Sequence, residues 1–332
     1  MAPPRVSLED VAYRIDPDQP VPDEIRRILR GQLDGAVEDL RAPGGPDAEA
    51  IHDARRRIKK ARAVLRLSRS LFGPAVVRQA NADLREVAAT IAAQRDADAL
   101  VEAVDRLLAD HPDGDPAREA LERLRQHGVV AAERQRTHGS LDASVSHGAA
   151  RRLQQTSAWL QRVPARADGW DALGPGLRRQ YTRGRTQCRH LGSTPSDEER
   201  HDWRKRAKDL WYHERLLRDL WPKAQKPYVR TASDLADLLG DDHDLSLVRG
   251  FTVADDALSA LHRQTAIDVI DARRTGLLDD ARALGALLYA DRPAAWVDRH
   301  RAWWAIRREA GAPETEVSRT GVANQARPPG TA

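Results

Sequence analysis

Two cation-rich segments carry most of the chemistry that this 332-residue chain can offer. One reads IHDARRRIKKARAVLRLSRSLF (51–72) and the other RHDWRKRAKDLWYHERLLRDLW (200–221). Aligned without a gap, His52 meets His201, Asp53 meets Asp202, Arg55 meets Arg204 and Arg56 meets Lys205. Arg57 then meets Arg206, Lys59 meets Lys208, Arg66 meets Arg215 and Arg69 meets Arg218, each pair 149 residues apart. On a helix at about 100° per residue, His52, Arg55, Arg56, Lys59, Arg62, Arg66 and Arg69 share an arc about 140° wide. Ala54, Ile58, Ala61, Val64, Leu65 and Phe72 fall largely on the other side. In the second segment Trp203, Ala207, Leu210, Leu217 and Trp221 form the expected core side, and Trp211 stands where Arg62 stands in the first.

A solvated helix face normally mixes charges of both signs at i,i+4 and gains from the pairs. This stripe is almost all cations. Like charges so close repel, and the arrangement is kept more readily when an anion neutralises it. Arg gives forked, charge-assisted hydrogen bonds to phosphate-type oxygens, Lys adds point charges, and His can carry charge near neutral pH. The helix before each segment adds cations, with Arg26 and Arg30 in the first half and Arg183 and Arg185, beside Tyr181, in the second. A matched element follows each: Arg95-Asp96 and Asp242-His243-Asp244. Asp96 and Asp244 are expected to cap helix N-termini.

The elements that position these residues are predicted to be helices throughout. Ala, Leu and Arg are abundant, aromatics are 5% of the chain, and no alternating apolar pattern survives inspection. Helices are expected over about 22–41, 47–72, 75–94, 97–110, 115–137 and 141–162. After a junction at 164–169 they resume over about 170–191, 196–221, 227–240, 243–250, 255–291 and 294–310. The 149-residue repeat predicts an internal duplication, each half (22–163 and 170–311) a helix bundle. Residues 1–21 read as an extended lead-in and 312–332 as a disordered tail.

Charge and cysteine content exclude several classes. Lys plus Arg is 54 against 50 Asp plus Glu, and the net charge is +4, so an anion must be met by arranged faces rather than bulk charge. The single Cys188 excludes an internal disulfide framework and a cysteine-cluster zinc site. No apolar run reaches the ~20 residues that span a bilayer, and MAPPRVSLED lacks the apolar run of a signal peptide, so a cytoplasmic protein is expected.

The His-x-x-Arg-x-x-x-Lys stripe, present as His52–Arg55–Lys59–Arg62 and as His201–Arg204–Lys208, resembles the CHAD family, the conserved histidine α-helical domain. Tyr181-x-Arg183-Gly184-Arg185, Arg95-Asp96 and Leu239-Gly240-x-x-x-Asp244 add to the likeness, which covers about residues 20–311. The resemblance implies an all-α fold of two pseudo-twofold-related four-helix bundles with a basic central cleft. It implies long-chain inorganic polyphosphate as ligand and association with polyphosphate granules. His52, Arg55, Arg56, Lys59, Arg62 and Arg66 would then face His201, Arg204, Lys205, Lys208 and Arg215, with Arg26, Arg30, Tyr181, Arg183 and Arg185 in support. Trp211 puts one expected phosphate contact in doubt.

Rival readings are weaker. Some CHAD proteins carry a triphosphatase domain of the CYTH type, which needs a β-barrel and a Glu-x-Glu-x-Lys signature. Here Glu314-Thr315-Glu316 lacks the Lys. There is no phosphate-binding Gly-x-x-x-x-Gly-Lys-Ser/Thr loop, and His213-Glu214 lacks the second His of a zinc protease helix. No catalysis, metal or cofactor is expected. Weak nucleic-acid binding is the main alternative, since its electrostatic term is shared. Single-strand binders interleave aromatics with cations, and only Tyr181 and Trp211 lie near these stripes.

Overall fold

The computed structural model describes residues 13–42, 45–91, 96–138 and 143–311, and within them the chain is helical with no strand. The first half contains α1 (Val21–Leu40), α2 (Ala48–Leu67), the single turn α3 (Arg69–Phe72), α4 (Pro74–Thr90), α5 (Asp96–Ala109), α6 (Pro116–His138) and α7 (Ala143–Arg162). The second contains α8 (Gly169–His190), α9 (Asp197–Leu217), a 3-10 turn (Arg218–Leu220), α10 (Pro222–Ala254), α11 (Ala260–Leu288) and α12 (Pro293–Gly311).

Local chemistry sets the ends of the two cation-bearing helices. Asp47 caps α2 by accepting from Ala50 N at 2.8 Å. Ser196 and Glu199 form a reciprocal capping box on α9. Gly73 stops the α2–α3 run at φ +86°, a value that glycine adopts without strain, and Pro74 opens α4.

Packing follows the apolar stripes. α1 lies on α2, α2 on α4, α4 on α7 and α7 back on α1, which closes a four-helix ring. In the second half α8 packs on α9 and α12, and α9 on α10. One continuous core runs through both groups and includes Ile58, Val64, Leu153, Leu177, Trp203 and Leu217. Each buried side chain of this size stabilises by roughly 1.5–3 kcal/mol. A separate core lies where α5 and α6 meet the distal half of α10 and the start of α11, around Val104, Leu121, Val248 and Ile270. The helical hairpin of the first half therefore packs on the second half.

The two groups are joined where α8 crosses α2 and α3. A Cβ at Gly176 would sit 1.8 Å from the Leu67 carbonyl oxygen, so only glycine permits this backbone approach. His213 donates from Nε2 to the Ala63 carbonyl at 2.9 Å, which pins α9 across α2.

Four expectations need correction. α10 is one helix of 33 residues rather than two, so Asp244 lies inside it and caps nothing. α11 begins only after Ser259 rather than at 255. Trp221 is 49% exposed rather than in the core, edge-on to Trp303. The lead-in is packed rather than loose over its described part: Tyr13 and Ile15 are buried, and Ile15 N donates to Leu216 O at 3.0 Å. Residues 1–12, the break at Arg95 and the 312–332 tail lie outside the described residues.

Candidate anion-binding cleft

A cleft of about 430 Å³ opens where α2, α9, α10 and α5 converge. One wall is His52, Arg55, Arg56 and Lys59 of α2, and beside it stand Arg204 and Lys208 of α9. The residues that the repeat pairs at 149-residue spacing, Arg55 with Arg204 and Lys59 with Lys208, thus share one concavity. Trp211, Tyr212 and Ala99 complete the cation-bearing side.

The opposite wall is α10, and it is acidic. Asp237, Asp241 and Asp244 line it around His243. Arg106 of α5 reaches Asp241 at 3.5 Å and Asp244 at 3.6 Å and holds that wall in place. Burial raises the Asp237 carboxyl above its usual range, against the opposing pull of Lys208.

His243 is the site residue that the sequence reading passed over. Its ring lies 4.8 Å from that of His201. Burial first, then Arg204, His201, Lys208 and Lys59, push its pKa down to about 4. Burial, with Lys205 and Arg204, also lowers His201, while Asp202 opposes. Burial and the neighbouring cations therefore favour the neutral form of both rings. His201 Nδ1 is buried with no hydrogen-bond partner among the described residues. A signal for His243 was present: it sits in the matched Asp242-His243-Asp244 element, one turn from Leu239-Gly240. Without knowledge that α10 is unbroken, nothing placed it beside His201.

Several expected residues are elsewhere. Arg26 pairs with Asp23 and donates to Val163 O at 3.1 Å, and Arg30 donates to Gln161 at 2.8 Å, so both face α7 and its exit. Tyr181 is buried, donates to Leu288 O at 3.1 Å and stacks on Trp296 at 4.1 Å, a core role. Arg185 donates to Tyr289 O at 3.1 Å at the end of α11. Lys205 is half-exposed and tied to Asp202 at 2.9 Å. Arg215 lies over the Tyr13 and Trp211 rings. Arg62, Arg66 and Arg183 gather on another face, around Asp209.

The cleft places five Lys and Arg side chains and His52 against three carboxylates and His243, whose ring meets His201 behind it. Its cation-bearing side can present forked and point donors to several oxygens of one extended anion, and the acidic wall keeps that anion on the α2–α9 side. No described helix is long and apolar enough to cross a membrane.

Comparison with known proteins agrees with this architecture. PptA from Streptomyces chartreusis superposes with a TM-score of 0.58 at 17% identity, covering 82% of this chain and 100% of that one. The CHAD domain from the plant Ricinus communis gives a TM-score of 0.59 at 17% identity, covering 85% and 96%. No curated protein matches the chain. The CHAD domain family matches residues 27–253, more than half of the chain, so this protein belongs to the CHAD family, which is associated with polyphosphate binding.

Proposed function

We propose that this chain binds long-chain inorganic polyphosphate, without catalysis, in the cleft between α2, α9 and α10. The observation that carries the reading is the convergence of two cation sets, 149 residues apart in sequence, on one cavity. Polyphosphate is a linear polyanion with about one charge per phosphate and no base to read, and a cationic groove is the receptor it needs. We further read the 149-residue correspondence as an internal duplication, and residence in the cytoplasm on polyphosphate granules as the setting in which such a cleft acts.

The aromatic groups of the cleft argue against nucleic acid as the main ligand. Trp211 is stacked on Tyr212 at 4.9 Å and covered by Arg215 at 5.2 Å, so its faces are occupied rather than offered to a base. The test is competition. Long-chain polyphosphate is expected to displace labelled single-stranded DNA far better than DNA displaces polyphosphate, and orthophosphate is expected to do neither. DNA winning that competition would overturn the assignment.

A further inference from the structure

The arginines that do not reach the cleft form a site of their own. Arg66 pairs with Asp209 and donates to Asn81 Oδ1 at 3.3 Å. Arg206 reaches the other Asp209 oxygen at 3.3 Å and Gln180 at 3.3 Å. Asp209 is 2% exposed and serves both guanidinium groups. The Nε atoms of Arg62 and Arg66 are buried with no hydrogen-bond partner among the described residues. Burial, then Arg66, lowers Arg62 to about 10, with Arg85 and Arg206 adding and Asp209 opposing.

The cluster continues outward. Burial, then Arg206 and Arg179, lowers Arg183, and Arg69 feels Arg179 and Arg78. Arg179 and Arg183 also line an open groove of about 640 Å³ between α8 and α12, together with Arg178 and Arg301. The carboxylates in that groove are Asp171 and Asp298. Neither the cluster nor the groove shares a lining residue with the cleft.

We propose that this arginine band is a second binding site for polyphosphate, so that one chain holds two segments of polymer. The proposal rests on the reading of the cleft given above. Adjacent, partly desolvated guanidinium groups repel one another, and a phosphate chain along their exposed side relieves that cost. Trp170, the aromatic ring of the groove, is packed over Gly174 and against Trp304 at 6.0 Å, which leaves no free ring for a base. The band contains no Lys or His, so its charge is fixed across the pH range in which the cleft histidines titrate. Two sites on one chain can bridge separate polymer strands, or hold one long strand with gain from effective concentration.

Calorimetric titration with a polyphosphate too short to span both sites tests the proposal. The expected stoichiometry is two per chain. It should fall to one in Arg55→Glu/Lys208→Glu, to one in Arg179→Glu/Arg183→Glu, and to none when all four are combined. The site left in the cleft variant should bind equally at pH 6 and pH 8. Arg179 and Arg183 are exposed, so helicity measured by circular dichroism should not change. One polyphosphate per chain, abolished in the cleft variant and untouched in the band variant, overturns the second site while the cleft assignment stands. Absence of binding to the wild type would sink the cleft reading itself. Preferential filling of the band by single-stranded DNA would overturn its ligand.

Discussion

The cleft and the arginine band both draw on the cation stripe of α2, yet their chemistry differs. His52, Arg55, Arg56 and Lys59 enter the cleft, while Arg62 and Arg66, on the same arc of α2, turn to the band. The divider is α9, held across α2 at Ala63 by His213. The cleft mixes Lys, Arg, His and Asp and is tunable by protons. The band is arginine around one buried carboxylate. A helical wheel reports which face a residue occupies, and the crossing helix decides which neighbour it meets.

The largest expected effect comes from reversing charge in the cleft. Each lost charged hydrogen bond is worth roughly 1.5–3 kcal/mol, so Arg55→Glu/Lys208→Glu should weaken long-chain polyphosphate binding by about 10²-fold or more with helicity unchanged. Loss of the fold would instead make these side chains parts of an internal salt-bridge network.

The band should respond in stability. Removing the Asp209 charge leaves Arg66 and Arg206 without their shared buried counter-ion, and Asp209→Asn should cost about 3–5 kcal/mol in denaturant unfolding. Lys59→Ala, in the open cleft, should cost far less. Equal losses would erase the contrast between the two regions.

Protons should separate the two next. His243 faces Lys59 from α2 and His201, Arg204 and Lys208 from α9, with Asp241 and Asp244 on its own helix and Arg106 of α5 behind them. Its folded pKa of about 4 lies below the ordinary ~6.5 of the unfolded chain. As pH falls through that window the unfolded chain takes up the proton first, so thermal stability of the empty protein should decline. Bound polyphosphate favours the imidazolium and should reduce or reverse that decline. His243→Gln should flatten both curves. A melting temperature with the same pH slope in wild type and variant would remove His243 from the cleft's electrostatics.

The smallest effect is a gain. Trp211→Arg restores the cation that the first stripe has at Arg62. It should raise the salt dependence of binding by about one counter-ion, at some loss of the stacking on Tyr212. An unchanged salt slope would mean that position 211 does not reach the polymer.

Much of this was legible in the sequence. Helix ends such as Asp47, Ser196 and Gly73-Pro74 announce themselves by local chemistry, and the gapless match of His52–Lys59 with His201–Lys208 pointed to the cleft. What was not legible depends on tertiary contacts. Asp242 looks like a break in α10 until it is seen buried between Arg200 at 2.7 Å and Arg274 at 3.1 Å, an ion-paired position that an unbroken helix supplies. Tyr181 resembled a ligand residue until its hydroxyl was found on the Leu288 carbonyl. Arg26 and Arg30 were read as cleft cations, but the return of α7 gives them carbonyl and amide partners.

The cleft assignment is tested most directly by the imidazole of His243, titrated by NMR with and without long-chain polyphosphate. If the polymer lies against Lys59, Arg204 and Lys208, the pKa of His243 should climb from about 4 by at least a unit. Saturated binding with His243 still titrating near 4 would contradict the account and place the polymer elsewhere on the molecule.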